Sequence, residues 1–279
     1  MHRPGGGEPG PARPLILGIL NTTPDSFSDG GRFDRLERAV AHALQMVEDG
    51  ADWVDIGGES TRPGAAPVGA SEEADRVVPV IEALIGECPD IRISVDTQKA
   101  AVARQALAAG ARVVNDVSAL SDPEMAALCA RTGASVILMH MRGTPTTMQA
   151  NTRYSDLVGE VVSFLADRVA QATAAGIPQG SIWVDPGVGF GKALHDNPTL
   201  IRAVPDLQQA LGCPVLIGAS RKRFIGALTG QDVARERVAG SVGAALAATH
   251  WGANALRVHD VRATVDALAV YRACMDPQP

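Results

Sequence analysis

Aromatic side chains are scarce, with Trp, Tyr and Phe making up only 4% of the 279 residues. The core must therefore be aliphatic, and Ala, Val, Leu and Ile supply most of the 46% hydrophobic content. That suits parallel strands buried on both faces, which read as aliphatic runs rather than alternating patterns. Cysteine is scarce too. Cys88, Cys129, Cys213 and Cys274 show no CxxC spacing, which argues against a patterned zinc site or a disulfide framework and for free, buried thiols. No apolar run approaches the ~20 residues of a membrane-spanning helix, so no membrane association is expected. Basic residues are not in excess either. With a formal net charge of −6, nucleic acid is excluded as the expected partner. Residues 1–13 are rich in Gly and Pro and lack an apolar stretch, so they are expected to form a disordered tail rather than a signal peptide. The expected location is the cytoplasm.

What is present is a βα rhythm. From residue 14 to residue 279 no linker-like segment divides the chain, so one domain is expected. Aliphatic strand candidates fall at 15–20, 53–56, 91–95, 113–115, 135–139, 182–184, 215–217 and 255–258. Amphipathic stretches follow at 36–49, 72–85, 100–109, 124–132, 157–175, 199–211, 235–250 and 261–275. Gly50, Gly110, Gly133 and Gly176 stand where left-handed residues would close helices. Strand–helix units in this number predict a single α/β domain, a (β/α)₈ TIM barrel with its site at the carboxyl ends of the strands. A doubly wound open sheet is the alternative.

Those strand ends carry an unusual set of groups. Asp96, Asn115 and Asp185 would aim two carboxylates and an amide into the barrel mouth. Such acceptors suit a flat heterocycle with adjacent N–H donors, gripped through parallel hydrogen bonds. The competing reading is that a strand-end Asp caps the next helix, and Asp96-Thr97, directly before one, is where the two readings compete most. Arg62, Arg257 and His259, with Asn21, form a second group of cations plus a neutral oxygen. A pyrophosphate and its Mg²⁺ need this combination. A rim salt bridge for Arg257 and His259, and a turn role for Asn21, remain open. Lys222, in Ser220-Arg221-Lys222-Arg223, is expected to reach into the barrel. The glycines at 187, 189 and 191 match neither a dinucleotide fingerprint nor a Walker loop, and Lys192 is followed by Ala193. A loop that lets a ligand close to backbone is the better account. His140, between Met139 and Met141, reads as a packed rim histidine.

These residues lie in segments that resemble the dihydropteroate synthase family from about residue 15 to residue 271. The segments are ILGILNTTPDSFSDGG, VDIGGESTRPGA, ISVDTQK, VVNDVSA, ILMHMRGTPTTMQ, VDPGVGFGK, IGASRKRFIG and LRVHDV. NTTPDSFSDGG and GGESTRPG are specific to that family rather than to barrels in general. The resemblance implies a transferase that condenses a dihydropterin pyrophosphate with p-aminobenzoate. It implies a pterin site of Asp96, Asn115, Met139, Asp185, Phe190 and Lys222, with Asp96, Asp185 and Lys222 catalytic. It further implies Asn21 as the Mg²⁺ ligand and Arg62, Arg257 and His259 on the pyrophosphate. Phe27, Thr61, Pro63 and Ser220 would form the p-aminobenzoate pocket, where sulfonamides also bind. The loops after strands one and two would be mobile lids, and the protein a homodimer. Two alternatives to the synthase reading are a catalytically silent pterin-binding paralogue and the pterin domain of a corrinoid-dependent methyltransferase.

Overall fold

Alternation along each strand divides the aliphatic residues into two populations, and the sheet closes around one of them. A computed structural model describes residues 13–23, 32–61 and 64–275. Eight parallel strands run β1 (Leu15–Asn21), β2 (Trp53–Gly57), β3 (Arg92–Asp96), β4 (Val113–Asp116), β5 (Ser135–Met139), β6 (Ile182–Asp185), β7 (Leu216–Ile217) and β8 (Ala255–Val258). They lie in the order β6-β5-β4-β3-β2-β1-β8-β7. A parallel bridge between Val184 and Val215, with the Val184 N–H donating to the Pro214 carbonyl at 3.0 Å, brings β6 against the start of β7 and closes the ring. The fold is the expected (β/α)₈ barrel.

One parity of each strand faces the helices. Ile16, Val54, Ile56, Ile93, Val95, Val114, Val136, Leu138, Val184, Ile217 and Leu256 belong to one large buried cluster shared with the outer helices. The other parity faces the barrel axis. Leu17, Trp53, Val113, Ile137, Leu216 and Ala255 form a separate buried cluster that Leu15 and Trp183 pack against. The two indoles meet edge to face with centroids 5.6 Å apart. Apolar side chains thus plug the barrel floor, as expected for this fold. Two residues further along each strand, the same inward parity reaches the mouth.

The helices are α1 (Arg32–Glu48), α2 (Ala70–Glu87), α3 (Ala100–Ala108), α4 (Met125–Thr132), α5 (Leu157–Ala174), α6 (Asp196–Arg202), α7 (Val204–Leu211), α8 (Arg223–Thr229), α9 (Val238–His250) and α10 (Val261–Met275). Gly50, Gly110, Gly133 and Gly176 all take positive φ, the left-handed closures expected of them. Three expectations need correction. The helix expected over 199–211 is two, broken at Ala203, because Pro205 has no N–H to continue the ladder. The stretch expected from 235 begins only at Val238, after a 3₁₀ turn at Ala234–Glu236. Helix α8 was not expected, and Gly230 at φ +72° ends it. The four cysteines are free; Cys129 and Cys213 are buried, whereas Cys88 is half-buried and Cys274 exposed. Among the described residues, no helix is long and apolar enough to cross a membrane. Most of the tail expected over 1–13 lies outside the described residues. Arg13 is described, and its guanidinium donates to Asp52 Oδ1 at 2.5 Å.

Candidate active site

Inward parity carries Asp55 on β2, Asp96 on β3, Asn115 on β4, Met139 on β5, Asp185 on β6 and Arg257 on β8 to the mouth above the apolar floor. In register, Asp96 pairs with Asn115 and Met139 with Asp185, while Asp55 pairs with Ser94 and Asn115 with Ile137. Arg257 bridges the group. Its Nε donates to Asp55 Oδ2 at 2.6 Å and its terminal nitrogen to Asp96 Oδ2 at 2.6 Å. Asn115 Nδ2 adds a 3.1 Å bond to the same Asp55 oxygen. Asp55 is fully buried, and its Oδ1 has no partner.

Burial sets the electrostatics here. Desolvation raises the Asp96 pKa to about 7; Arg257 opposes the rise while Asp55, Glu73 and Asp116 add to it. Asp185 is raised mainly by desolvation too, against Lys222, the Gly187 N–H and Arg257. That N–H donates to Asp185 Oδ1 at 2.7 Å, which leaves the carboxylate tethered beside the mouth. Neither Asp96 nor Asp185 caps a helix. The residue preceding α3 is Lys99, which makes no side-chain cap, and Asp122 Oδ2 accepts the Ala100 N–H at 2.8 Å instead. Asp116 has the opposite parity; its carboxylate accepts from Ser118 and from the Leu120 N–H, holding a turn whose Ala119 and Leu120 have positive φ.

Lys222 arrives from the far side. Its ammonium donates to the Val188 carbonyl and sits 4.0 Å from the centre of the Phe190 ring. Burial lowers its pKa to about 7, with Asp185 the main opposing influence. The approach depends on Arg221, a non-glycine residue at φ +59°. Its N–H donates to Ser241 Oγ at 2.9 Å, and its guanidinium forks onto Asp260 at 3.0 and 2.5 Å. These bonds offset the roughly 1–3 kcal/mol of strain that such a backbone costs. Next to it, Ser220 Oγ accepts the His259 N–H at 3.2 Å and lies 3.0 Å from His259 Nδ1. The structure therefore brings together Asp96, Asn115, Met139, Asp185, Phe190, Lys222 and Arg257, and pairs Ser220 with His259. Arg257, expected on the pyrophosphate, is engaged by the carboxylates of the expected pterin group. Asn21 ends β1 and Thr61 follows β2, both half-buried. Phe27, Arg62 and Pro63 lie outside the described residues.

Three groups were given no site role from the sequence. Asp55 sits inside its strand rather than at the end, although its place two residues after Trp53 carries the signal. Glu59 closes the neck of the β2–α2 connection by accepting the Val68 N–H at 2.7 Å. It shares Lys99 with fully buried Glu73, at 2.7 and 2.5 Å. Lys192 is buried against His140, which is itself 3% exposed and packs edge-on to Phe164.

Buried acceptors facing a cationic rim can grip the N–C–N edge of a flat heterocycle and an anion beside it. Comparison with known proteins agrees with that chemistry. The profile of the pterin binding enzyme family matches residues 17–259. A dihydropteroate synthase of Synechocystis is 50% identical over 252 residues, spanning 90% of this chain and 86% of that one. The Xanthomonas albilineans dihydropteroate synthase with 4-aminobenzoic acid superposes with a TM-score of 0.89 at 50% identity, covering 95% of this chain and 94% of that one. The same organism's enzyme in complex with 7,8-dihydropteroate gives 0.86 at 48% identity, covering 95% of each. By profile, sequence and fold alike, the chain belongs to the pterin binding enzyme family and, within it, to the dihydropteroate synthases.

Proposed function

We propose that the chain condenses 6-hydroxymethyl-7,8-dihydropterin pyrophosphate with p-aminobenzoate, giving 7,8-dihydropteroate and pyrophosphate for folate biosynthesis, by a dissociative route. The observation that carries this reading is the ring of buried acceptors at the barrel mouth, Asp96, Asn115 and Asp185, with Lys222 and Arg257 among them. The acceptors bind the donor edge of the pterin, with Met139 and Phe190 lining the slot. The bond from the pterin methylene carbon to pyrophosphate oxygen breaks, and both electrons leave with the pyrophosphate. The carboxylates favour the cation that remains, through fixed charges in a site sheltered from water. The p-aminobenzoate nitrogen then donates its lone pair to the methylene carbon and releases a proton to solvent. Ser220 and Thr61, with Phe27 and Pro63, are assigned to the p-aminobenzoate pocket. Arg62 and His259 are assigned to the pyrophosphate, with Arg257 turning toward it when the pterin displaces its carboxylate contacts.

Among the described residues, no group of three or more carboxylate, imidazole or thiolate side chains could hold a metal. A site where Asn21 offers one neutral oxygen fits magnesium, which takes most of its ligands from phosphate and water. When bound, Mg²⁺ would supply positive charge to the leaving pyrophosphate. We also assign the protein to the cytoplasm, where its free thiols are in keeping with a reducing medium. A homodimer is supported by exposed Leu228, Val233, Trp251 and Val270, which fall on or beside the successive, mutually packed helices α8, α9 and α10.

The test is pyrophosphate release by the purified protein, given dihydropterin pyrophosphate and Mg²⁺, with and without p-aminobenzoate. Release that p-aminobenzoate accelerates, that yields dihydropteroate and that EDTA stops is expected. Tight binding of the pterin pyrophosphate without release would make the chain a binding paralogue instead.

A further inference from the structure

Lys192 takes no part in the mechanism above, yet it is only 4% exposed. Its ammonium has three donors and meets three acceptors: the Phe190 carbonyl at 2.8 Å, His140 Nδ1 at 2.9 Å and the Gly187 carbonyl at 3.3 Å. The Tyr154 ring lies 5.6 Å away, and the Tyr154 hydroxyl donates to the Gly191 carbonyl at 2.8 Å. The Arg142 guanidinium carbon lies 3.8 Å from the centre of the same ring. One cation thus joins the end of β5 to both ends of the 187–190 turn.

That turn needs fastening. Gly187, Gly189 and Gly191 have φ of +73°, +83° and +59°, conformations that glycine reaches freely but does not hold unaided. A side chain at 187 would collide with the His140 carbonyl, so the turn lies hard against β5. The turn carries two parts of the pterin slot, the Phe190 ring and the Val188 carbonyl that receives Lys222. Burying an ammonium costs several kcal/mol unless its donors are all met. A methionine would fill the same space without that cost, so the three bonds are what the lysine adds. They also set the state of His140. An imidazole nitrogen that accepts from an ammonium carries no proton, and burial together with Lys192 pushes the His140 pKa down to about 3.

We propose that Lys192 is a positioning residue for the pterin site, whose ammonium, received by a neutral His140, holds the 187–191 turn in the shape that presents Phe190 and the Val188 carbonyl to the ligand and to Lys222. This rests on the pterin reading given above. Turn and slot are then fixed before the ligand arrives, and binding does not have to order them.

The experiment pairs calorimetric titration of dihydropterin pyrophosphate with steady-state kinetics in p-aminobenzoate. Lys192→Met is expected to weaken pterin binding about tenfold or more, the worth of a lost charged hydrogen bond. Its KM for p-aminobenzoate should stay within about twofold of the parent, because the turn lies on the pterin side of the site. Two substitutions at His140 separate position from bulk. An asparagine places its carbonyl oxygen close to where Nδ1 stood, so His140→Asn should keep most of the pterin affinity, whereas His140→Leu should lose it. Burial lowers the Lys192 pKa to about 7, so nitrogen NMR of the unliganded parent at pH 6, where the ammonium is present, should show His140 protonated on Nε2 and bare on Nδ1. Parent-like pterin affinity in Lys192→Met or in His140→Leu would overturn the proposal, as would a protonated Nδ1. Equal losses toward both substrates would overturn it as well, since general loosening of the barrel rim gives that pattern. Should Lys192→Met fail to fold, the His140 pair and the NMR signal still decide. A parent protein that binds no pterin pyrophosphate would instead refute the functional reading, and the NMR result would then judge the Lys192–His140 contact alone.

Discussion

Replacing Arg257 by leucine should cost the fold more than any other single change at the barrel mouth. The guanidinium bonds both Asp55 and Asp96 at 2.6 Å, and Asp55 is fully buried with one oxygen already unpartnered. Its removal leaves two carboxylates facing each other, and only the Asn115 amide still donates to Asp55. Breaking a buried pair by deleting one partner costs about 3–5 kcal/mol. At about 2–4 °C of melting temperature per kcal/mol for a domain approaching this size, Tm should fall by roughly 6–20 °C at pH 8. The pH dependence supplies an internal check. Folded Asp96 already has its pKa raised to about 7 by burial, and without Arg257 it rises further. Between the unfolded value of about 4 and that raised value, the folded variant binds the extra proton, so its stability falls as pH rises. The deficit relative to the parent should therefore be smaller at pH 5 than at pH 8. Adding Asp55→Asn to Arg257→Leu removes one stranded charge and should recover part of the loss. Scanning fluorimetry and urea unfolding at both pH values provide the assay. A Tm change under about 2 °C at pH 8, or a double variant no more stable than the single, would refute the reasoning.

Two further outcomes follow from the same site. Asp185→Asn and Lys222→Ala are each expected to lower turnover by about 10²–10³ while leaving the circular dichroism spectrum intact, because each removes a charge that the proposed route assigns to the reacting cation or its ring. Parent-like activity in either purified variant would remove that residue from the mechanism. Pterin affinity should rise with pH up to about 7, because Asp96 must lose its proton before it can accept from the ligand, and fall above it as Lys222 loses its charge. Below that point each pH unit should weaken binding about tenfold, and a flat profile from pH 5 to pH 8.5 by calorimetry would contradict it.

The strands were legible because burial on both faces writes them as aliphatic runs, and β5 and β8 were bounded to the residue. Helices were harder. Pro205 divides α6 from α7 through a missing N–H, which the apolar pattern of 199–211 conceals. The seven residues of α8 are too few to show a period. At the site, Met139 came only from the family resemblance, and reading only the strand ends found Asp96, Asn115, Asp185 and Arg257 but passed over Asp55. That carboxylate reaches the mouth because β2 is in register with β3 so that Asp55 lies beside Ser94, a fact about pairing rather than about residue type. Arg257 looked like a phosphate ligand because its planar fork suits two phosphate oxygens and another cation stands close by in sequence. Its contacts with two carboxylates are set by strands β2 and β3, far away in the chain. Lys192 could be excluded from a Walker loop by its neighbours, but its acceptor on His140 lies 52 residues away.

The bond between Arg257 and Asp55 spans 202 residues of chain. At a ribosome adding about 5–20 residues per second, the acidic side of the mouth is made some 10–40 seconds before the cation that neutralises it. Strands β2 to β6 are all made in that interval, with Asp55 and Asp96 still lacking the guanidinium that bonds both in the finished barrel. Docking of β8 completes the ring and neutralises the chamber in one event. Closure and charge neutralisation therefore depend on the same strand: a chain without β8 would lose the means of closing as well as the means of binding.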